Sequence, residues 1–382
     1  MHGPLHGVTV LEIAAIGPAP FGCMLLADLG ATVIRVDRPG ERQLAPWHRI
    51  LDRGRRSISL DLKHPAGVEV VLRLAERADV MVEGFRPGVA ERLGIGPIDC
   101  RRRNPALVYA RMTGWGQSGP LARTAGHDIN YIALSGALHA IGRAGGGPVP
   151  PLNLLGDFAA GGMLLVNGVL AALLERERSG VGQVIDVSIV DGTASLLSML
   201  LSMSAAGQWR DERGTNILDT GAPFYDVYAC AGGGHVAVGA IEDQFYLALV
   251  TGLGLDPELL PDRTDPVNWS ALKRLFADRF ASRTRDEWAA IFAETDACVT
   301  PVLTVAEAAQ HPHLVARETY VEGQPAGAPR FSRSRAMPAK PAPEVGDDTL
   351  ALLADCGLSQ DEIARLERAG AVWSNDTRPE GE

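Results

Sequence analysis

Cysteine is sparse in this 382-residue chain, and lysine is sparser still. The five cysteines (Cys23, Cys100, Cys230, Cys298, Cys356) are scattered, odd in number and never spaced as C-x-x-C. That pattern argues against a disulfide framework and against a zinc site. An excess of positive charge is missing too. The net charge is −10, so bulk electrostatics argue against a nucleic-acid partner. Met1-His2-Gly3-Pro4 lacks the basic-then-apolar pattern of a secretory signal, and there is no internal repeat. Two uncharged stretches, 158–174 and 192–209, are marginal in length for a membrane span and read better as buried helices. The expectation is a soluble, cytoplasmic protein with neither a membrane nor a nucleic-acid partner.

With 46% hydrophobic residues, the chain can bury substantial cores and is long enough for two domains. Gly7–Ile13 reads as a buried strand, Ala19–Leu29 as a helix stopped by Gly30, and Thr32–Val36 as a second strand. Further strands are expected at Ser57–Leu62, Val80–Glu83, Leu107–Ala110 and Val184–Val190. Helices are expected at Ala66–Ala78, Val89–Leu93, 159–176 and 192–206. Apolar strands alternating with helices predict an open, parallel-sheet, Rossmann-like α/β domain over 1–215.

Composition changes after Thr215. Tyr225–Cys230 and His235–Val238 flank Ala231-Gly232-Gly233-Gly234, a hairpin signal, and amphipathic helices follow at Gln244–Gly252, Ser270–Ala281 and Arg285–Ala297. This predicts a smaller α+β domain over 216–320. Residues 321–382 are expected to hold a linker at Pro338–Pro343 and two helices, Asp348–Cys356 and Ser359–Ala369, packing back on the large domain.

Several motifs carry less chemistry than they first promise. Gly114-Trp115-Gly116-Gln117-Ser118-Gly119 matches G-x-G-x-x-G after a strand, but Pro120 follows and no helix opens to hold a pyrophosphate. A nicotinamide or flavin dehydrogenase is therefore disfavoured. His311-Pro312-His313 has no third ligand in view, so no metal is expected. Ser195 and Ser204 lack a nucleophile elbow. Met24, Met199, Met203 and Phe224 form either an adaptable apolar wall or ordinary core.

Two words are more informative. Ala125-Gly126-His127-Asp128-Ile129-Asn130-Tyr131 and Leu155-Gly156-Asp157-Phe158 each set a titratable side chain, His127 or Asp157, just before an apolar, helix-like run. Helix starts gather unpaired N–H groups and the positive end of the dipole. An imidazole and a carboxylate placed there suit proton transfer with a substrate that becomes anionic. A capping Asp and a structural His fit the same letters. Basic residues also cluster early in the chain, at Arg35, Arg38, Arg53, Arg55, Arg56 and Lys63, where either a polyanionic small molecule or plain solvent fits.

Gly126–Tyr131 and Pro150–Phe158 resemble the α-methylacyl-CoA racemase branch of the class III CoA-transferase family. So do Glu83–Gly88, Gly114–Pro120 and Gly221–Asp226. The likeness runs from about Val8 to Ser334. It implies His127 and Asp157 as an acid/base pair and Glu242 as a supporting carboxylate. It also implies a CoA site at Arg38, Leu60, Asp61, Leu62, Lys63, Gly84, Phe85, Arg86 and Arg92. The thioester would then lie towards Gly126, Asp128, Ile129, Asn130 and Tyr131. Further implications are an interlocked homodimer, with the active site where domains meet, and no cofactor beyond the coenzyme A of the substrate. In the transferase relatives the residue matching Asp157 is a nucleophile, and a histidine matching His127 is usually missing. A non-catalytic acyl-CoA carrier would explain the arginines but not the His/Asp pair.

Overall fold

The computed structural model describes residues 2–39, 46–334 and 340–375. Pro338 and Ala339 of the expected linker lie outside the described residues. The chain divides into two compact units, one drawn from 1–135, 152–196 and 324–382 and the other from 136–151 and 197–323. The sequence-based boundary at 215 differs from this division, because 136–151 and 197–215 belong to the second unit. A chain excursion that leaves one unit and returns leaves no mark in local composition.

In the first unit β1 (Thr9–Ile13), β2 (Thr32–Asp37), β3 (Arg55–Leu60), β4 (Val80–Glu83), β5 (Val108–Thr113) and β6 (Val184–Ser188) pair in parallel. Their spatial order is β3-β2-β1-β4-β5-β6, the doubly wound arrangement whose order reverses between β1 and β4. Both faces are apolar, as a sheet covered on two sides requires. Leu11, Ile58, Met81 and Tyr109 pack one face together with Val70, Val71 and Leu74 of α2 (Pro65–Arg77). Val10, Val33, Val82 and Val108 pack the other with Cys23 and Leu26 of α1 (Pro18–Asp28). Strand β6 stops two residues earlier than its β-branched run implies, because Ile189 and Val190 already belong to the next helix.

Three helical segments frame the carboxyl edge. The first is α3 (Asp128–Leu134). A π-helical stretch, Leu154–Met163, follows and runs without a break into α4 (Leu164–Ser179). The last is α5 (Ile189–Leu196). The continuous helix Leu154–Ser179 is long and apolar enough to cross a membrane by length and composition. It packs instead on α1 and α5.

The second unit contains α6 (Ser198–Ala205), which has no buried residue. This corrects the expectation of a buried helix there: the stretch is apolar, but a single chain leaves it uncovered. An antiparallel sheet follows, β7 (Tyr225–Ala229), β8 (His235–Gly239) and β9 (Val299–Pro301), with α7 (Asp243–Gly252), α8 (Trp269–Phe280) and α9 (Arg285–Phe292). Its core joins Tyr228, Val236 and Val238 to Leu249, Phe276, Phe280 and Trp288. Phe224 is also core here, as Met24 is in the first unit, so neither forms a ligand wall.

The chain then returns to the first unit through α10 (Thr349–Asp355) and α11 (Gln360–Arg368). Asp348 accepts the Ser57 amide at 3.0 Å, and Thr349 Oγ1 accepts that of Ser59 at 3.1 Å. Strand β10 (Val372–Trp373) then adds antiparallel to β3, so among the described residues the sheet has seven strands.

Candidate active site

A cavity of about 640 Å³ opens within the first unit at the carboxyl ends of β1, β4 and β5. Open α/β sheets bind ligands at this reversal of strand order. Its walls come from the turn after β1 (Ala14–Pro18), Arg38 after β2, Gly84–Pro87 after β4, and Thr113–Trp115 after β5. Gly126, His127, Tyr131, Asp157 and Ile189 complete it. The two sequence words that carry the imidazole and the carboxylate thus converge on one space.

His127 precedes α3 with an extended backbone, and its amide donates to Asn130 Oδ1 at 3.0 Å. That bond fixes the first turn and leaves the imidazole exposed to the cavity. Asp157 is half-buried on the π-helical stretch. Such irregular turns recur at functional sites because they re-aim side chains. Three glycines, Gly156, Gly161 and Gly162, make this stretch thin enough to press on its neighbours. A Cβ on Gly161 would meet Pro18, and one on Gly162 would meet Phe21. Phe21 and Phe158 stack at 4.5 Å between ring centroids, pinning Asp157 against the start of α1.

Burial pushes the Asp157 carboxyl above its ordinary range, and the nearby Asp128 charge pushes it further. The Asn153 side-chain hydrogen bond and His127 oppose the rise. Asp157 therefore holds its proton nearer to neutrality than a free aspartate does, which suits a group that both gives and takes a proton.

Tyr131 closes the floor. Its ring lies edge-on to Trp115 at 4.8 Å, and its hydroxyl donates to the Gly126 carbonyl. Burial raises its hydroxyl, Asp157 adds to the rise, and Arg86 opposes it. Gly114 is required here because any Cβ would lie inside the Tyr131 ring. The G-x-G-x-x-G word is thus a wall-forming turn, and its first glycine has a packing reason. Behind the opposite wall, buried Glu83 accepts the Phe85 amide at 2.6 Å and the Arg111 guanidinium at 2.8 Å. This bond sets the Gly84-Phe85-Arg86 loop.

Of the residues expected from sequence, Arg38, Gly84, Phe85, Arg86, Gly126, His127, Tyr131 and Asp157 line the cavity. Asp61, Leu62, Lys63, Arg92, Ile129 and Asn130 do not. Leu60 is fully buried in the core and does not line the cavity. The Asp128 side chain is 6% exposed and turned inward onto the Asp157 amide. That bond also occupies the Asp157 N–H, removing it as a donor to a substrate oxygen. Glu242 stands at the N-cap position of α7 in the second unit, makes no side-chain capping bond and is exposed.

The early basic cluster is the larger correction. Arg55 is completely buried and pairs with Glu12 through two bonds, 2.8 and 3.2 Å. Arg53 meets Asp28 at 2.6 and 3.1 Å, and Arg35 meets Asp37 and Asp52 at 2.8 and 3.0 Å. Arg56 pairs with Asp348 and Asp355. The Arg35, Arg53 and Arg55 guanidiniums are internal struts, Arg56 is paired but part-exposed, and of the expected cluster only Arg38 reaches the cavity wall. The turn Ala14–Pro18 and the Phe21–Phe158 stack were missed. The only advance signal was the run of glycines in 156–162.

The model of CoA-transferase family III matches residues 5–349. The α-methylacyl-CoA racemase of Mus musculus is 50% identical over 377 residues, covering 97% of this chain and 98% of that one. The α-methylacyl-CoA racemase of Homo sapiens is 47% identical, covering 98% and 99%. Among solved structures, a CAIB/BAIF family protein from Brucella suis superposes with a TM-score of 0.82 at 26% identity, covering 93% of this chain and 100% of that one.

Proposed function

The chain belongs to CoA-transferase family III, and from that premise we propose that it interconverts (2R)- and (2S)-2-methylacyl-CoA thioesters, with His127 and Asp157 as the acid/base pair. The hydrogen on the α-carbon of such a thioester is weakly acidic, and its removal leaves an enolate with the charge on the thioester oxygen. Inversion needs a base on one face and an acid on the other. The observation that carries this assignment is that the imidazole and the raised carboxyl line one cavity at the sheet's reversal point. Each enantiomer would use the pair in the opposite sense, and each group contributes roughly 10²–10⁴-fold.

Arg38 and Arg86 supply the cationic walls that a CoA polyphosphate calls for. No resident cofactor enters the proposal, because coenzyme A arrives with the substrate. A homodimer is part of it, with Glu242 as a supporting carboxylate. An uncovered apolar groove of about 620 Å³ along Leu154–Ser179 and α5, with Met163, Leu174 and Leu196 exposed, supports a partner surface. Five free thiols suit a reducing, cytoplasmic setting.

The test separates an acid/base Asp157 from a nucleophilic one. Hydroxylamine or borohydride added with acyl-CoA should trap no adduct on Asp157, and Asp157→Asn should bind acyl-CoA without turning it over. A substrate-dependent adduct at Asp157 would overturn the assignment.

A further inference from the structure

We infer that Asp128 is the positioning residue of the acid/base Asp157, holding its backbone and supplying the negative charge against which its carboxyl works. The inference rests on the proton-transfer reading of Asp157 and goes beyond it by naming what tunes that group. Asp128 Oδ2 accepts the Asp157 amide at 2.7 Å across 29 residues of sequence. This ties the first turn of α3, where His127 sits, to the π-helical stretch that carries Asp157. Both proton-transfer groups are therefore registered by one carboxylate. The contact is built in on the other side too. A Cβ at Gly156 would overlap the Asp128 carboxylate, so glycine is what lets the two segments approach. Among the described residues, Asp128 Oδ1 is buried without a hydrogen-bond partner. Ordinary structure seldom leaves a carboxylate oxygen that way, and each such group asks for a reason.

Proximity supplies the reason. A second carboxylate held beside a half-buried Asp157 disfavours its ionised form. The other groups around Asp157 are His127 on α3 and Asn153 on its own segment, both acting the other way. Arg86 on the β4 loop faces Tyr131, and the start of α1 brings Gly17 close to the Asp157 carboxylate. Asp128 is thus the like charge in the set. The two reactive forms differ only in which partner holds a single proton, so both directions share one pH profile.

The measurement is kcat/KM against pH for Asp128→Asn and Asp128→Ala, each with its thermal midpoint, beside wild type. Asn keeps an oxygen for the Asp157 amide and removes the charge. Its acid limb should move to lower pH, with kcat down about tenfold near pH 7 and acyl-CoA KM unchanged. Asp128→Ala should lose at least tenfold more, because the amide is also released. An Asn variant that is folded and active with an unmoved profile, or one whose loss lies in KM, would overturn the inference. If wild type itself incorporates no α-deuterium from solvent, the acid/base reading of Asp157 fails first, and the two failures are told apart.

Discussion

Removing the charge of Glu12 tests whether the early arginines are struts or ligands. Arg55 is fully buried, and among the described residues Glu12 beside it is its only charged hydrogen-bond partner, through two bonds. Glu12→Gln keeps the shape and one acceptor but leaves the buried guanidinium without its hydrogen-bonded counter-charge, with Asp52 acting only through space. Breaking a buried pair from one side costs about 3–5 kcal/mol, against a total stability on the order of 5–15 kcal/mol. At about 2–4 °C per kcal/mol for a unit of this size, the melting midpoint should fall by about 6–20 °C. Replacing both partners, Glu12→Leu with Arg55→Met, should recover only part of this. The carbonyls of Pro20 and Arg53 lose their donor, at about 1–3 kcal/mol each. Calorimetry and urea titration read the loss, and steady-state kinetics below the transition should show an unchanged acyl-CoA KM. A loss under about 1 kcal/mol, or a raised KM with full stability, would refute the strut assignment.

The cavity-lining arginines should behave in the opposite way: Arg38→Ala and Arg86→Ala should raise KM several-fold with kcat nearly intact and no change in melting midpoint. Gly114→Ala places a methyl inside the Tyr131 ring, so it should cost about 1–3 kcal/mol in urea titration and lower kcat as the ring is displaced. Asp157→Asn should stabilise the protein at neutral pH while abolishing turnover. A carboxyl raised in the native state binds protons that the unfolded chain has released, so it weakens the fold as pH climbs from its unfolded to its native titration. The gain over wild type should therefore vanish at pH 3 in melts run across pH. His127→Ala should fold normally and lose about 10²–10⁴-fold in inversion, while still exchanging one enantiomer's proton through Asp157.

What the sequence reveals follows from what is local. Val10-Leu11 and Met81-Val82 send neighbouring side chains into opposite cores, and apolar runs of that kind mark β1, β2, β4 and β5 without any tertiary knowledge. His127 and Asp157 were legible because each opens an apolar run. The arginines were not, because nothing local reveals that Glu12 lies beside Arg55 across 43 residues, or Asp28 beside Arg53 across 25. Asp128 looked like part of a ligand-facing word for the same reason: its partner is the Asp157 amide, 29 residues on. The exposed α6 shows the reverse limit, since its apolar composition predicts a buried helix and none of its residues is buried.

The proposed inversion is a direct proton exchange at the α-carbon by His127 and Asp157. Its decisive test is to incubate a single-enantiomer 2-methylacyl-CoA in deuterated water, without any acyl acceptor, and to follow stereochemistry and label together. Inversion should be accompanied by one α-deuterium, and Asp157→Asn should abolish inversion while leaving exchange only for the enantiomer whose α-hydrogen faces His127. Inversion without solvent label, or movement of CoA to an added carboxylic acid in place of exchange, would contradict it.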